Sequence, residues 1–327
     1  MKKNIALVAG GFSNESVISL ASAKMVEKAL NKEKYNVYKI IIEKDAWYYL
    51  DASGDKYPVD RNDFTITLPQ GKIVFDCAFI IIHGDPGENG RLQGYFDMLN
   101  IPYTTSDFNT MAMTFNKAFC NAIVKKLKVI QVAQSVHIYK KYPKTELDIW
   151  NEIKLPCFVK PNSGGSSIGM SKVKTKEELL PAIERAFEED DEILIEEFVE
   201  GRELSCGVLQ TKQDRIVLPV TEIIPKGKDF FDYEAKYQGL SEEVTPANIE
   251  KEIFLHVQWA SSKLYTLLNC KGVVRFDYIY NEVENRLYFL EVNTVPGQSE
   301  RSIIPQQVRC YGLTTTDFYD LLIESVL

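Results

Sequence analysis

The segment RFDYIYNEVENRLYFLEVNTVPG, residues 275–297, carries ionisable side chains inside two apolar runs. The runs are rich in Tyr, Phe, Leu and Val and are separated by a turn of Asn and Glu, a pattern that predicts a β-hairpin. Ionised side chains are rarely buried in proteins unless they are paired or bind a metal. The fold must therefore either expose this hairpin to water or use it to support a polar site.

Strand geometry groups the polar residues of this hairpin. Side chains alternate between the two faces of a strand, so Arg275 and Asp277 share one face, and Glu291 and Asn293 share one face of the next strand. If the two faces coincide, two carboxylates and an amide oxygen converge, and such hard oxygen ligands suit Mg²⁺. A partly exposed hairpin with solvated ion pairs accounts for the same spacing. The spacing alone leaves both interpretations open.

Size and composition exclude several classes of protein. The chain has 327 residues, 45% of them hydrophobic, which is enough for two or three domains with sizeable cores. A formal net charge of −8 argues against a general nucleic-acid-binding protein. The six cysteines form no CxxC pair, and the three histidines have no metal-ligand spacing, so neither a zinc site nor a disulfide framework is expected. The chain contains no apolar run of about 20 residues, so no membrane span is predicted. We expect a soluble, cytoplasmic protein.

The first hundred residues alternate in the manner of a βαβ domain. The apolar pattern predicts strands at 5–10, 35–43 and 75–84, with helices at 19–30 and 90–100. These strands are almost continuously apolar, as in a parallel sheet that is covered on both faces. The domain is therefore expected to be α/β.

The rest of the chain predicts further α/β segments. A helix is expected at 107–127, strands at 155–161 and 192–199, and a T-x-x-E capping box at Thr175 and Glu178. We expect three lobes in sequence, with the boundaries 1–105, 106–195 and 196–327.

The loop KPNSGGSSIG, residues 160–169, is the most informative loop in the chain. Its glycines allow backbone N–H groups to approach a phosphate, and its serines add hydroxyl donors. Its lysine precedes the glycines, so the loop is not a GxxxxGK[ST] phosphate loop, and it joins strand to strand. A mobile glycine-rich turn without a ligand is the alternative interpretation.

Two further turns carry candidate ligand-binding residues. The turn AGGFSNES does not match the GxGxxG fingerprint of nicotinamide dinucleotide binding, and its Glu15 suits a ligand ammonium group. Glu15 is equally explained as a carboxylate favoured by the dipole of the following helix. The segment HGDPGENG, which contains His83, follows a predicted parallel strand at the edge where α/β sheets bind ligands. A lone His83 is also explained as a buried structural histidine.

Taken in order, seven segments resemble the D-alanine–D-alanine ligases of the ATP-grasp superfamily. These segments are GGFSNE, HGDPGENG, VKPNSGGSSIGMSKV, EEFVEGRE, DYEAKY, RFDYIY and LEVNTVPG, and they span nearly the whole chain. The resemblance implies an α/β ATP-grasp fold with an N-terminal Rossmann-like βαβ substrate lobe. It further implies ATP-dependent joining of two D-alanines for peptidoglycan precursor synthesis, through an acyl phosphate, by a homodimer with small-molecule substrates only.

The resemblance also implies roles for individual residues. The residues that would bind ATP are Lys117, Lys160, Ser166, Ser167, Glu196, Glu197, Phe198, Val199, Glu203 and Lys236. Those that would hold two Mg²⁺ ions, or Mn²⁺ as a substitute, are Asp277, Glu291 and Asn293. The residues that would bind the amino acids or act in catalysis are Glu15, His83, Glu88, Ser166, Tyr237, Arg275, Gly297 and Ser302. Residues 225–246 would form a lid over the reacting groups.

Some positions depart from the family pattern. These are Val17, Asn89, Thr105, Gln298 and Ser299, and the last two would lie near the second substrate. A different ATP-grasp carboxylate–amine ligase is therefore the nearest alternative, and Glu15, Ser166 and Tyr237 argue against it. A non-catalytic nucleotide-binding regulator is expected to lose metal ligands or Arg275, and this chain keeps them all.

Overall fold

The computed structural model describes residues 1–165, 168–225 and 241–327. Its strands are β1 (Lys3–Gly10), β2 (Tyr35–Ile42), β3 (Trp47–Leu50), β4 (Lys56–Asp60), β5 (Thr65–Leu68), β6 (Gly71–Ile73), β7 (Cys77–Ile80), β8 (Gln131–Val132), β9 (Ser135–Tyr139), β10 (Cys157–Pro161), β11 (Ser171–Val173), β12 (Glu192–Glu197), β13 (Arg202–Gln210), β14 (Arg215–Val217), β15 (Thr221–Pro225), β16 (Ser241–Val244), β17 (Val273–Asn281) and β18 (Arg286–Asn293). Its α-helices are α1 (Ser16–Ala29), α2 (Arg91–Leu99), α3 (Phe108–Phe115), α4 (Lys117–Leu127), α5 (Glu146–Glu152), α6 (Leu179–Glu189), α7 (Lys251–Leu267), α8 (Ile303–Tyr311) and α9 (Thr315–Glu324).

The N-terminal sheet has the strand order β6-β5-β4-β3-β2-β1-β7. Strand β1 pairs in parallel with β2 and β7, so the predicted βαβ arrangement is confirmed. The apolar residues of β1 are fully buried, as expected for the central strand of a covered sheet. Strands β3 to β6 extend the sheet as an antiparallel meander that the sequence pattern did not predict.

The prediction of a single helix at 107–127 is wrong, because the chain forms two helices there. Asn116 has an extended backbone (ψ 104°) that ends α3, and its side chain accepts a hydrogen bond from the Phe119 N–H, which starts α4. Asparagine is a favoured residue at this capping position. The break places Lys117 at the first residue of α4.

The second sheet is antiparallel, with the order β11-β10-β12-β9. Residues 162–170 join β10 to β11, which confirms that the glycine-rich segment connects strand to strand. The capping box of Thr175 and Glu178 is present before α6, also as predicted.

The third sheet has the order β16-β15-β13-β17-β18-β8, with β14 paired to β13. Strands β17 and β18 form the predicted hairpin, with an irregularity in register after Asp277. Helix α7 covers one face of this sheet, where Val257, Ala260 and Leu264 pack in one core with Phe276. Strand β8 joins β18 in parallel, so a segment that precedes the second sheet contributes a strand to the third.

Helices α8 and α9 pack against the N-terminal sheet. Phe318, Tyr319 and Leu322 share a hydrophobic core with Ile5 and Leu7 of β1. Among the residues that the structure describes, no helix is long and apolar enough to cross a membrane.

Candidate active site

The hairpin brings its four polar residues together. Across β17 and β18, Arg275 pairs with Asn293 and Asp277 pairs with Glu291. Because residues two apart on a strand share a face, the four side chains lie on the same side of the sheet. Asp277 is only 2% exposed, so the interpretation of this hairpin as a solvated surface is wrong for this carboxylate.

Arg275 is the main partner of the Asp277 carboxylate. The Nε of Arg275 donates to Oδ1 at 2.9 Å and its Nη2 donates to Oδ2 at 2.8 Å, and the Ser205 hydroxyl donates to Oδ1 as well. Burial would lower the pKa of Arg275, but the charge and the hydrogen bonds of Asp277 outweigh burial and raise the pKa. The guanidinium is thus fixed in position and permanently charged.

A mixed set of oxygen ligands is available for a divalent cation. The side-chain nitrogen of Asn293 lies 2.8 Å from Asp277 Oδ2 and 3.4 Å from Glu291 Oε1, so the three side chains converge on one point. In the part of the chain that the structure describes, no three His, Cys, Asp or Glu side chains form a metal-binding group. A cation here would therefore depend on two carboxylates plus the Asn293 amide, turned so that its oxygen replaces the nitrogen that now faces them, and this donor set is of the hard type that Mg²⁺ prefers.

A cleft of about 770 Å³ lies beside the hairpin. The residues predicted to bind ATP that line this cleft are Lys117, Lys160, Glu196, Glu197, Phe198, Val199 and Glu203. Glu15 and Glu291 line the cleft as well, and Glu291 connects it to the hairpin residues. Four predicted residues, Ser166, Ser167, Lys236 and Tyr237, lie outside the described residues, as does most of the predicted lid.

Two lysines enter the cleft from different elements. Lys160 on β10 donates to Glu196 Oε2 on β12 at 2.7 Å, and Asn121 of α4 donates to the other Glu196 oxygen at 2.9 Å. Lys117 donates to the carbonyl oxygen of Gly164, in the glycine-rich loop, at 2.6 Å. The second lysine therefore lies against the loop that was predicted to close over phosphates.

The predicted adenine side of the cleft includes residues that the sequence analysis did not identify. The Lys172 ammonium lies 3.7 Å from the centre of the Phe198 ring, and the Phe158 ring meets Phe198 edge to face at 5.8 Å. Phe158 and Lys172 occupy neighbouring strands of the second sheet. Their place beside Phe198 depends on strand register, which no local motif reveals.

Glu15 of the N-terminal lobe lies next to the glycine-rich loop. It immediately precedes α1. A Cβ atom added to Gly165 would lie only 2.8 Å from Glu15 Oε1, so a side chain at that position of the loop would have to displace the Glu15 carboxylate. The predicted phosphate loop and the predicted ammonium-binding carboxylate are therefore in direct proximity.

His83 and Glu88 lie behind Glu15 with strongly shifted pKa values. Loss of hydration lowers the pKa of His83 to about 4, helped by the charge of Arg275, so the imidazole is neutral at pH 7. Loss of hydration, together with the charges of Glu15 and Glu291, raises the pKa of Glu88 to about 8, so this carboxyl group is mostly protonated at pH 7. Glu88 accepts hydrogen bonds from the backbone N–H groups of Gly84 and Val295, at 2.7 and 3.3 Å.

The segment after β18 carries Gly297 and Ser302 together. A Cβ atom on Gly297 would lie 2.9 Å from the Ser302 hydroxyl, which in turn lies 2.8 Å from the Ser299 hydroxyl. The Gln298 side chain is buried instead, where it donates to the Pro296 carbonyl at 3.2 Å and accepts from the Tyr319 hydroxyl at 3.2 Å. Of these two departures from the family pattern, Ser299 lies beside the predicted substrate residues and Gln298 points into the core.

Two other departures are tied into the N-terminal lobe. Asn89 donates to Asp85 Oδ1 at 2.6 Å, and the Thr105 hydroxyl accepts from Gln93 at 3.0 Å. Both side chains therefore have local hydrogen-bond partners.

Comparison with known protein families decides what kind of protein carries this cleft. A family model described as D-ala D-ala ligase N-terminus matches residues 4–106, and one described as D-ala D-ala ligase C-terminus matches residues 124–324. The chain belongs to the D-alanine–D-alanine ligase family. The family resemblance of the seven sequence segments is thereby confirmed.

Individual members of the D-alanine–D-alanine ligase family match the chain over nearly its full length. The D-alanine–D-alanine ligase of Phocaeicola vulgatus is 47% identical over 325 residues, which cover 99% of each chain. The D-alanine–D-alanine ligase of Flavobacterium johnsoniae is 45% identical over 322 residues, which cover 98% of each chain.

Solved structures of the family share the fold. The VanG D-Ala:D-Ser ligase from Enterococcus faecalis has a TM-score of 0.88 and 32% identity over all of both chains. The D-alanyl-alanine synthetase A from Vibrio cholerae has a TM-score of 0.87 and 26% identity over 99% of this chain and 98% of its own. The α/β ATP-grasp fold expected from the sequence is confirmed.

Proposed function

We propose that this chain joins two D-alanine molecules into D-alanyl-D-alanine for peptidoglycan precursor synthesis, while ATP is converted to ADP and phosphate. One observation carries the proposal: Glu15 lies directly beneath the glycine-rich loop, in the same cleft as Lys117 and Lys160. A carboxylate suited to an amino-acid ammonium thus adjoins cations suited to phosphates. Membership of the family supports the choice of substrates.

ATP would lie along the cleft with its base between the second and third sheets. Residues 196–199 and the ring of Phe198 would face the adenine, and Glu203 at the start of β13 would take the ribose hydroxyls. Lys117 and Lys160 would then bind phosphate oxygens through ammonium N–H donors that their present partners, the Gly164 carbonyl and Glu196, do not use.

The first chemical step would be attack of a D-alanine carboxylate oxygen on the γ-phosphorus of ATP. The bond to the β–γ bridging oxygen breaks, ADP leaves, and an acyl phosphate forms. Asp277, Glu291 and Asn293 would hold two Mg²⁺ ions, or Mn²⁺ in their place, and bound cations of this type neutralise charge on the phosphate oxygens. Glu15 would keep the first D-alanine in line by binding its ammonium group.

The second step would be attack of the amine of the second D-alanine on the acyl carbon. The carbonyl oxygen becomes an oxyanion, which Arg275 and the N–H of Gly297 would stabilise, and one such donor is typically worth about 3–4 kcal/mol. The C–O bond to phosphate then breaks, and the amine proton is lost to solvent or a bound base. No nucleophilic side chain is required, because the acyl phosphate is itself the activated group.

The remaining predicted residues would orient the second D-alanine. The Ser302 hydroxyl, steadied by Ser299, would bind its carboxylate, while neutral His83 and protonated Glu88 would add no charge that competes with Glu15. Ser166 and Tyr237, by their resemblance to the family, would complete the site with Glu15, and Ser167 and Lys236 would contact ATP.

The lobe boundaries 1–105, 106–195 and 196–327 also belong to this proposal, as do a homodimeric state and a cytoplasmic location. The three sheets fit such lobes, although β8 crosses from the second segment to the third sheet.

Product analysis tests the proposal. The purified protein is incubated with ATP and Mg²⁺ and with D-alanine, L-alanine or no amino acid, and ADP is measured alongside mass detection of the dipeptide. D-serine and D-lactate are added as second acceptors in separate reactions with D-alanine. ADP release that requires D-alanine, with D-alanyl-D-alanine as the main product, is expected.

Other outcomes of the assay would change the conclusion. A larger yield of the mixed product with D-serine would assign a different second substrate and leave the ATP site unchanged. Absence of ADP with every amino acid would contradict the proposed ligase activity.

A further inference from the structure

Asn162 occupies the point where β10 ends and the glycine-rich loop begins, and it is completely buried. A buried amide must find hydrogen-bond partners for both of its polar atoms. Its Oδ1 accepts from the backbone N–H of Ala118 at 2.9 Å, and its Nδ2 donates to Glu192 Oε2 at 3.0 Å. The side chain therefore connects α4 to β12.

The backbone of Asn162 makes the same two connections. Its N–H donates to the Glu192 carbonyl at 2.9 Å, and its own carbonyl accepts from the Lys117 N–H at 3.1 Å. The first N–H groups of a helix have no partner within the helix. Two of them in α4, those of Lys117 and Ala118, are satisfied by this one residue.

The Glu192 side chain is itself held in position by other residues. Its Oε2 atom also lies 2.8 Å from His137 Nε2 and 3.4 Å from the Asn116 side-chain nitrogen. The next residue of the loop, Ser163, is held by its N–H, which donates to Asp190 Oδ2 at 2.7 Å. The start of the loop is thus tied to β12 and to the turn before it.

Lys117 extends from the helix start that Asn162 holds and reaches the loop that begins beside Asn162. Its ammonium lies 2.6 Å from the Gly164 carbonyl oxygen. The separation between this cation and the loop N–H groups therefore depends on how α4 is docked onto the end of β10.

We propose that Asn162 is a positioning residue for the phosphate part of the nucleotide, acting through Lys117 and the glycine-rich loop. The inference rests on the proposed function, because it takes Lys117 and the loop as phosphate ligands. The ring on the adenine side has supports outside α4, because the Phe198 N–H donates to the Pro156 carbonyl at 3.0 Å and Lys172 covers the Phe198 ring, while Glu196 is held by Lys160 as well as by Asn121 of α4. Loss of the Asn162 amide should therefore weaken the binding of phosphates and spare the binding of the nucleoside.

The test compares Asn162→Ala with Thr145→Ala. Thr145 caps α5, which packs against the same second sheet, and its hydroxyl accepts from the Asp148 N–H at 3.2 Å, so this control also loses a helix cap. Dissociation constants of ADP and adenosine are measured by competition against ATP, together with KM for ATP and for D-alanine.

Asn162→Ala is expected to weaken ADP binding and raise KM for ATP by about tenfold, because binding must then order Lys117 and the loop without Asn162, at a cost comparable to about one hydrogen bond. The adenosine dissociation constant and KM for D-alanine should remain within about twofold of the wild type, a change of less than one hydrogen bond. Thr145→Ala should leave the ratio of ADP to adenosine affinity unchanged.

If Asn162→Ala leaves the ratio of ADP to adenosine affinity unchanged, the inference is overturned and Asn162 has a purely structural role. If Asn162→Ala does not fold, Asn162→Ser is measured in the same way. Its short hydroxyl places no charge beside Glu192 and cannot reach both the Ala118 N–H and Glu192, so the ratio of ADP to adenosine affinity is still expected to fall. Absence of ADP formation by the wild type with D-alanine would instead contradict the proposed function itself.

Discussion

The guanidinium of Arg275 and the carboxylate of Asp277 fix each other, with Nη2 2.8 Å from Oδ2 and Nε 2.9 Å from Oδ1. The two residues are predicted to have different tasks, one at the oxyanion and one at the metal. Their contact means that a change in the metal ligand also displaces the group that faces the oxyanion. The two tasks should therefore fail together when Asp277 is changed.

Replacement of Asp277 by Asn is expected to lower both turnover and stability. The neutral amide removes the carboxylate that is ion-paired with Arg275, and removal of one partner from a buried ion pair typically costs about 3–5 kcal/mol. Thermal unfolding and steady-state ADP release measure the two effects separately.

Glu291→Gln is the matched variant on the opposite strand. Glu291 is only partly buried, so stability should change little, while the loss of a metal-ligand charge should lower kcat by about 100-fold or more. Turnover at the wild-type rate in this variant would contradict the predicted metal site.

Variants of the two lysines of the cleft should likewise differ in their effect on stability. Lys160→Ala and Lys117→Ala are both expected to raise KM for ATP, because each removes a cation from the phosphates. Only Lys160→Ala should also destabilise the fold, by about 3 kcal/mol, because it leaves the Glu196 carboxylate buried without its counter-ion. Denaturant unfolding of both variants provides the measurement, and equal midpoints would argue against a structural role for the Lys160–Glu196 pair.

The raised pKa of Glu88 should make stability depend on pH. Its pKa is about 8 in the folded protein and 4.5 in an unfolded chain, so the folded state binds more protons between these values. The free energy of unfolding should consequently decrease as the pH rises from about 4.5 to about 8, and level off above that range. Thermal unfolding across this range should show a shallower dependence in Glu88→Gln, which cannot ionise. Parallel curves for the two proteins would assign the pH dependence to other groups.

Gln298→Met replaces a buried amide by an apolar side chain of similar size. The change removes the hydrogen bonds to the Pro296 carbonyl and the Tyr319 hydroxyl, and an unsatisfied buried hydroxyl costs about 1–3 kcal/mol. The midpoint of thermal unfolding should fall, with little effect on KM for ATP. A gain in stability would indicate that the core has room for the apolar side chain without this hydrogen bond.

Local sequence patterns predicted the elements that depend on residues close together in the chain. The hairpin of residues 275–293 and the capping box at Thr175 follow from alternation and from short-range hydrogen bonds, and both are present. The interruption at Asn116 was missed because the apolar pattern continues through it, whereas the break depends on one side chain that caps the following helix. Strands β3 to β6 were missed because the meander is short and its strands are partly polar.

The grouping of candidate site residues was predictable where a charged side chain interrupts an apolar strand. Lys160, Asp277 and Glu291 belong to this class, because their charges are unusual inside apolar strands. Asn162 and Gln298 were not assigned roles, because a polar residue in a loop has no pattern until the opposite strand or helix is placed. Ala118, Glu192 and Tyr319, the partners of these side chains, are separated from them by 21 to 44 positions in the chain.

The packing of α9 against β1 also has a consequence during synthesis of the protein. Residues of α9 complete the core over Ile5 and Leu7, yet nearly the whole chain lies between them. At a synthesis rate of about 5–20 residues per second, β1 waits roughly 15–60 seconds for this cover. During that interval only the earlier part of this core, including Ala23 and Val26 of α1, is available to cover the apolar face of the sheet.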